Sequence, residues 1–214
     1  MARSHTFSLG ALAGALLLAA GLAGTPAYAE GDANRGAVLA NTCLGCHGIE
    51  GYRNAFPTYR VPKLGGQHAE SLYLALVEYA ERRRSHATMY AQAATFTDQD
   101  KRDMAAFFAE AAELETGTPR SGPRVERGRE KAAVCAACHG ANGVSGNPEW
   151  PTLAGQHESY LFHALRQYRS GERQNAIMAG QVLALSDEDM RDLAAFYAAQ
   201  PGLVTTTSRR IARR

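Results

Sequence analysis

Cys43-Leu44-Gly45-Cys46-His47 and Cys135-Ala136-Ala137-Cys138-His139 are two copies of one pentapeptide, and together they use all four cysteines of the 214-residue chain. Two thiols one helical turn apart, followed at once by an imidazole, form the attachment pattern for a c-type haem. The thiols add across the vinyl groups as thioethers, and the histidine is held under the iron as an axial ligand. A four-cysteine zinc site, a thioredoxin-like pair and a structural disulfide are the other uses of Cys-x-x-Cys. About ninety residues separate the two pairs, no βαβ pattern surrounds either one, and none of these uses accounts for a histidine after both. The reading is therefore two covalently bound haem c groups, on Cys43 and Cys46 and on Cys135 and Cys138.

An internal repeat organises the chain around these motifs. At an offset of 89, Pro62-Lys63-Leu64-Gly65-Gly66-Gln67-His68 matches Pro151-Thr152-Leu153-Ala154-Gly155-Gln156-His157. At the same offset Thr97-Asp98-Gln99-Asp100 matches Ser186-Asp187-Glu188-Asp189, and Ala105 to Phe108 matches Ala194 to Tyr197. The haem motifs stand 92 apart, so the loop after the histidine is three residues longer in the first copy. The expected layout is a leader over 1–29, a first domain over 30–112, a linker over 113–126, a second domain over 127–201 and a basic tail over 202–214. Each domain is small for a self-supporting core, and a buried haem supplies the apolar plate to wrap.

The expected fold is all-α. Helices are predicted over Asn34–Asn41, Glu70–Arg84 and Asp98–Ala112, and over Val125–Val134, Ser159–Arg169 and Asp187–Ala199. Thr97 and Ser186 are N-caps with acids in the turn that follows. Gly36 and Gly128 each stand seven residues before a first cysteine, where the missing side chain permits a close helix crossing. No run alternates with a strand period.

The leader has Arg3, an apolar run from Leu9 to Ala23 and the cleavage pattern Ala27-Tyr28-Ala29, so a mature chain would start at Glu30 in the periplasm. The run is shorter than the ~20 residues of a spanning helix, which makes a retained anchor the second reading. The formal charge is +2; without Arg3 and the four terminal arginines the remaining body is acidic, at −3, which argues against a basic nucleic-acid binder. Arg209, Arg210, Arg213 and Arg214 are expected to form a solvated end, with contact to an anionic membrane surface or to an acidic partner as the alternative.

The sixth ligand of each iron decides between electron transfer and substrate chemistry. A ligand needed by both haems recurs in both copies, and Met89 pairs with Met178 at the offset of 89. Met104 aligns with Leu193 and Met190 with Lys101, which suits packing. Met89 and Met178 are expected in loops before the last helix of each copy. The expected axial sets are His47 with Met89 and His139 with Met178. The rival pair is His68 and His157, both placed where a helix begins, while His86 and His163 are read as having no repeat partner and are expected at the surface. A ligating histidine donates its other nitrogen to an acceptor; the recurring Pro62 and Pro151 offer carbonyls, and Leu64 and Leu153 offer apolar cover.

These residues resemble the dihaem cytochrome c4 family across nearly all of the mature sequence. The second copy is the closer match, through Ala132 to Gly140, Trp150 to His157, Met178 and Leu185 to Met190. The first copy departs in Gly51 to Val61 and in Arg82-Arg83-Arg84. The resemblance implies two cytochrome-c-like domains related by an approximate twofold, with haem edges close together. It implies a monomeric periplasmic electron carrier between a bc1-type complex and a terminal oxidase. Alternatives are the cytochrome subunit of a flavocytochrome sulfide dehydrogenase or an alcohol dehydrogenase, and a dihaem peroxidase, which the symmetric methionines disfavour.

Overall fold

The computed structural model describes Met1 and residues 30–207. The leader and the four tail arginines lie outside the described residues. Helices dominate. The first copy comprises α1 (Ala33–Leu39), α2 (Asn41–His47), α3 (Ala69–Ala80), α4 (Ala87–Ala93) and α5 (Asp98–Glu110); the second comprises α6 (Pro123–Lys131), α7 (Ala133–His139), α8 (Glu158–Ser170), α9 (Ala176–Val182) and α10 (Asp187–Ala199). The long first-copy loop adds an antiparallel ribbon, β1 (Arg53–Asn54) with β2 (Tyr59–Arg60), which no alternation in the sequence announced.

Local chemistry sets the helix starts. Asp32 caps α1 by accepting from the Asn34 and Arg35 amides. Thr97 and Asp100, and Ser186 and Asp189, form reciprocal capping boxes on α5 and α10. Pro123 stands at the first position of α6, where its fixed φ suits a helix and its missing N–H costs nothing. The second domain thus begins inside the span 113–126 expected as linker. Helix α3 stops at Ala80, short of the expected Arg84, and Arg82 turns the chain with φ 60°.

Within each domain the first helix crosses the last. A Cβ on Gly36 would lie 2.0 Å from the Asp103 carbonyl oxygen, and one on Gly128 would lie 2.0 Å from that of Asp192. Only glycine permits these crossings. The same crossings bury the repeat-equivalent Asp103 and Asp192 side chains. Asp103 accepts from the Asp32 amide, Gln99 and Arg35, and Asp192 accepts from Arg127 and Lys131. Burial pushes both carboxyls up, but the bonds outweigh it and hold them below the usual carboxylate range. Met104, Phe107 and Phe108 centre one core; Leu193, Phe196 and Tyr197 centre the other.

The domains meet through reciprocal bonds that express the approximate twofold. Gln67 bonds the Thr152 backbone twice at 2.9 Å, and its equivalent Gln156 bonds the Lys63 backbone at 2.9 and 3.0 Å. The Ser85 amide donates to the Glu172 carbonyl at 2.9 Å, and the equivalent Gln174 amide donates to the Arg83 carbonyl at 2.7 Å. His86 and His163 are not surface residues. His86 is half-buried, and His163 stacks on Tyr59 of the other domain at 4.3 Å.

The tail expected from residue 202 begins later. Leu203, Val204 and Thr206 are buried, Val204 and Gly65 exchange amide bonds at 3.0 and 3.1 Å, and Leu203 donates to Ala154 at 2.8 Å. An apolar Leu-Val pair thus straps both domains before the arginines begin.

Candidate haem sites

Helices α2 and α7 each end on the histidine of the pentapeptide. Both imidazoles are buried. His47 Nδ1 lies 2.8 Å from the Pro62 carbonyl oxygen, and His139 Nδ1 lies 2.9 Å from that of Pro151. A carbonyl only accepts, so each Nδ1 carries the proton and each Nε2 keeps its lone pair for a metal. Burial pushes both imidazoles below the usual histidine range, against the smaller opposing pull of the proline carbonyls. Neutral imidazole is the ligating form.

The four cysteines are half-buried and form no disulfide with one another. In each pentapeptide the two thiols sit one turn apart on the helix that ends in the histidine. Val134 precedes Cys135 and Ile177 precedes Met178, and both are about two-thirds exposed, at 68% and 66%. Paired thiols, a neutral imidazole with a free Nε2 and apolar side chains left uncovered beside them fit a covalent porphyrin plate.

Met89 and Met178 lie not in loops but on the short helices α4 and α9. The Met89 amide donates to His86 Nδ1 at 3.2 Å, and the Met178 amide donates to Asn175 Oδ1 at 3.0 Å. His86 and Asn175 are themselves 89 apart, so each methionine is seated by an equivalent N-cap. Leu64 and Leu153 pack against the core of their own domain. His68 and His157 precede α3 and α8 without side-chain capping bonds. His68 Nε2 is engaged by the Ser145 carbonyl at 2.9 Å, across the domain boundary. The capping pair His86/Asn175, the bridging pair Gln67/Gln156 and the buried pair Asp103/Asp192 were missed from sequence, although recurrence of the same residue at the offset of 89 marks the last two.

Two helical domains, each ending one helix on the thiol, thiol, imidazole array, define a c-type cytochrome with two haem c groups. The chain belongs to the cytochrome c family, whose model matches residues 33–112 and again 125–198. It is similar to cytochrome c4 of Pseudomonas aeruginosa, 44% identical over 85 residues, a stretch that spans 40% of this chain and 42% of that protein. A relative called thiosulfate dehydrogenase electron acceptor, from Stutzerimonas stutzeri, is 30% identical over 82% of this chain and 85% of its own length. The crystal structure of reduced cytochrome c4 from Pseudomonas stutzeri superposes with a TM-score of 0.66 at 27% identity, covering 79% of this chain and 99% of that one.

Proposed function

We propose that the chain is a dihaem electron carrier in which His47 and Met89 ligate one iron and His139 and Met178 the other. The observation that carries this is the doubled arrangement. Each motif histidine is fixed by a proline carbonyl, and each methionine rides an equivalently capped helix. Bound haem supplies one-electron chemistry at the iron. The chain's own residues hold geometry. Pro62 and Pro151 fix the imidazole planes and tautomers. Capped helices α4 and α9 hold thioethers that would close the remaining axial positions, leaving no place for substrate. The reciprocal bonds of Gln67 and Gln156 keep the two centres in a constant relation.

The Ala27-Tyr28-Ala29 pattern supports export of the carrier to the periplasm. A bc1-type complex as donor and a terminal oxidase as acceptor follow from the resemblance to cytochrome c4. A second reading is favoured by the relative named as a thiosulfate dehydrogenase electron acceptor: this chain would take electrons from a periplasmic dehydrogenase. A spectral redox titration of the exported protein tests the carrier role. Two haems per chain with iron(III)–sulfur absorption and no carbon monoxide adduct are expected; carbon monoxide binding to the reduced native protein would overturn it. Rapid reduction by a purified thiosulfate dehydrogenase, with none by a bc1-type complex, would select the second reading.

A further inference from the structure

The ribbon in the first-domain loop sets Arg53 directly opposite Arg60. Side chains at directly opposed positions share a face of the ribbon, and like charges there repel. Neither guanidinium has a carboxylate partner among the described residues. Both are exposed and line a cleft of about 830 Å³ between the domains. Lys63 enters the cleft from the first domain, with Nζ fixed on the Gly155 carbonyl at 2.7 Å. Arg120, Arg124 and Arg191 line it as well. Six cations line the cleft against the carboxylates of Glu50, Glu115 and Glu158, and Glu158 already faces Arg124 at 3.7 Å. At the wall, His157 of the second domain is buried. Its imidazole is pushed down to about 4 by burial and by the charges of Lys63, Arg60 and Arg53, so all three cations act on one point. The corresponding second-domain loop, residues 140–150, contains no lysine or arginine. The cationic ribbon therefore stands on one side of the twofold only.

We propose that this interdomain cleft binds a small multivalent oxyanion of the phosphate or sulfate type, held by Arg53, Arg60 and Lys63 beside His157. An oxyanion removes the repulsion between the opposed arginines and offers each planar guanidinium two acceptors in its own geometry. It also compensates the field at His157, which then gains a proton more readily and becomes a further donor. Bound there, the anion contacts residues of both domains.

Isothermal titration of the dihaem protein with inorganic phosphate and with pyrophosphate, at constant ionic strength set by sodium chloride, tests this. One saturable site per chain is expected. Arg53→Gln with Arg60→Gln weakens it at least about tenfold, the worth of one charged hydrogen bond, and leaves the visible spectrum unchanged. Lys63→Gln, on the other edge, weakens it independently. In the same titration followed by NMR, the His157 imidazole midpoint rises by about one pH unit. No saturable uptake, equal displacement by chloride, or unchanged affinity in the double variant would each overturn the proposal.

Discussion

Replacing Gly128 by alanine tests the crossing on which the second haem helix depends. The added Cβ would sit 2.0 Å from the Asp192 carbonyl oxygen and 2.7 Å from Phe196 Cβ, where real contacts essentially never fall below 3.0 Å. The nearest obstacle is backbone, so no rotamer change relieves it, and α6 must move off α10 by at least about an ångström. A gap of that size forfeits a quarter to a half of each dispersion contact along the seam, and overpacking of this kind costs about 3 kcal/mol. In a domain of this size that corresponds to more than about 10 °C in melting temperature. Thermal unfolding of the ferric protein, followed at the iron(III)–sulfur band, should turn biphasic, with the second-domain half lost early. Gly36→Ala, against Asp103, should move the other half. A Gly128→Ala protein that melts as one transition within about 3 °C of wild type, on the same scale, would refute the reasoning.

Met178→Ala should remove the iron(III)–sulfur band of one haem, Met89→Ala that of the other, and the double variant both; near-infrared absorbance reads this directly. Gln67→Ala with Gln156→Ala strips hydrogen-bond partners from the Thr152 and Lys63 backbones, and should cost about 2 to 4 kcal/mol in urea unfolding at one unsatisfied buried group per side. Asp192 is held below the unfolded carboxylate value of about 3.9. Its contribution is therefore complete above that pH and is lost as pH falls through the lower folded value. Asp192→Asn should flatten the acid limb of a stability–pH curve and cost about 2 kcal/mol at pH 7, a figure kept low because Arg127 and Lys131 are 46% and 31% exposed and recover water. His157 and His163 lie at about 4 while unfolded histidine titrates near 6.5. Both should remain neutral by NMR at pH 5.5, and stability should fall as pH drops from about 6.5 toward 4 because the unfolded chain takes up protons first.

Much of the architecture was legible because duplication writes the same requirement twice. Gly36 and Gly128 announced a close crossing, and Thr97 and Ser186 announced a helix start, since both are local constraints carried by residue type. The seats of Met89 and Met178 were misread as loops. Each is a seven-residue helix of modest intrinsic propensity, stabilised by its cap and by packing on the preceding long helix rather than by any periodic pattern. His86 was misread because its value lies in accepting one amide bond, a role that asparagine fills in the other copy. Pattern matching by residue identity therefore separated two residues that do the same work. The strap over residues 202–207 was hidden by the arginines that follow it, because composition averages over a window and two apolar side chains do not outweigh four charges.

By itself the sequence determined the two thiol and imidazole motifs, 92 residues apart, and the offset of 89 that aligns Met89 with Met178, because covalent attachment needs particular atoms at particular spacings and duplication repeats them. Only the tertiary structure decided which groups face each other across the domain boundary. There the amides of Gln67 and Gln156, the stack of His163 on Tyr59 and the opposed pair Arg53 and Arg60 meet. Those contacts join residues distant in the chain or register two short strands, and their energies depend on geometry that no local pattern encodes.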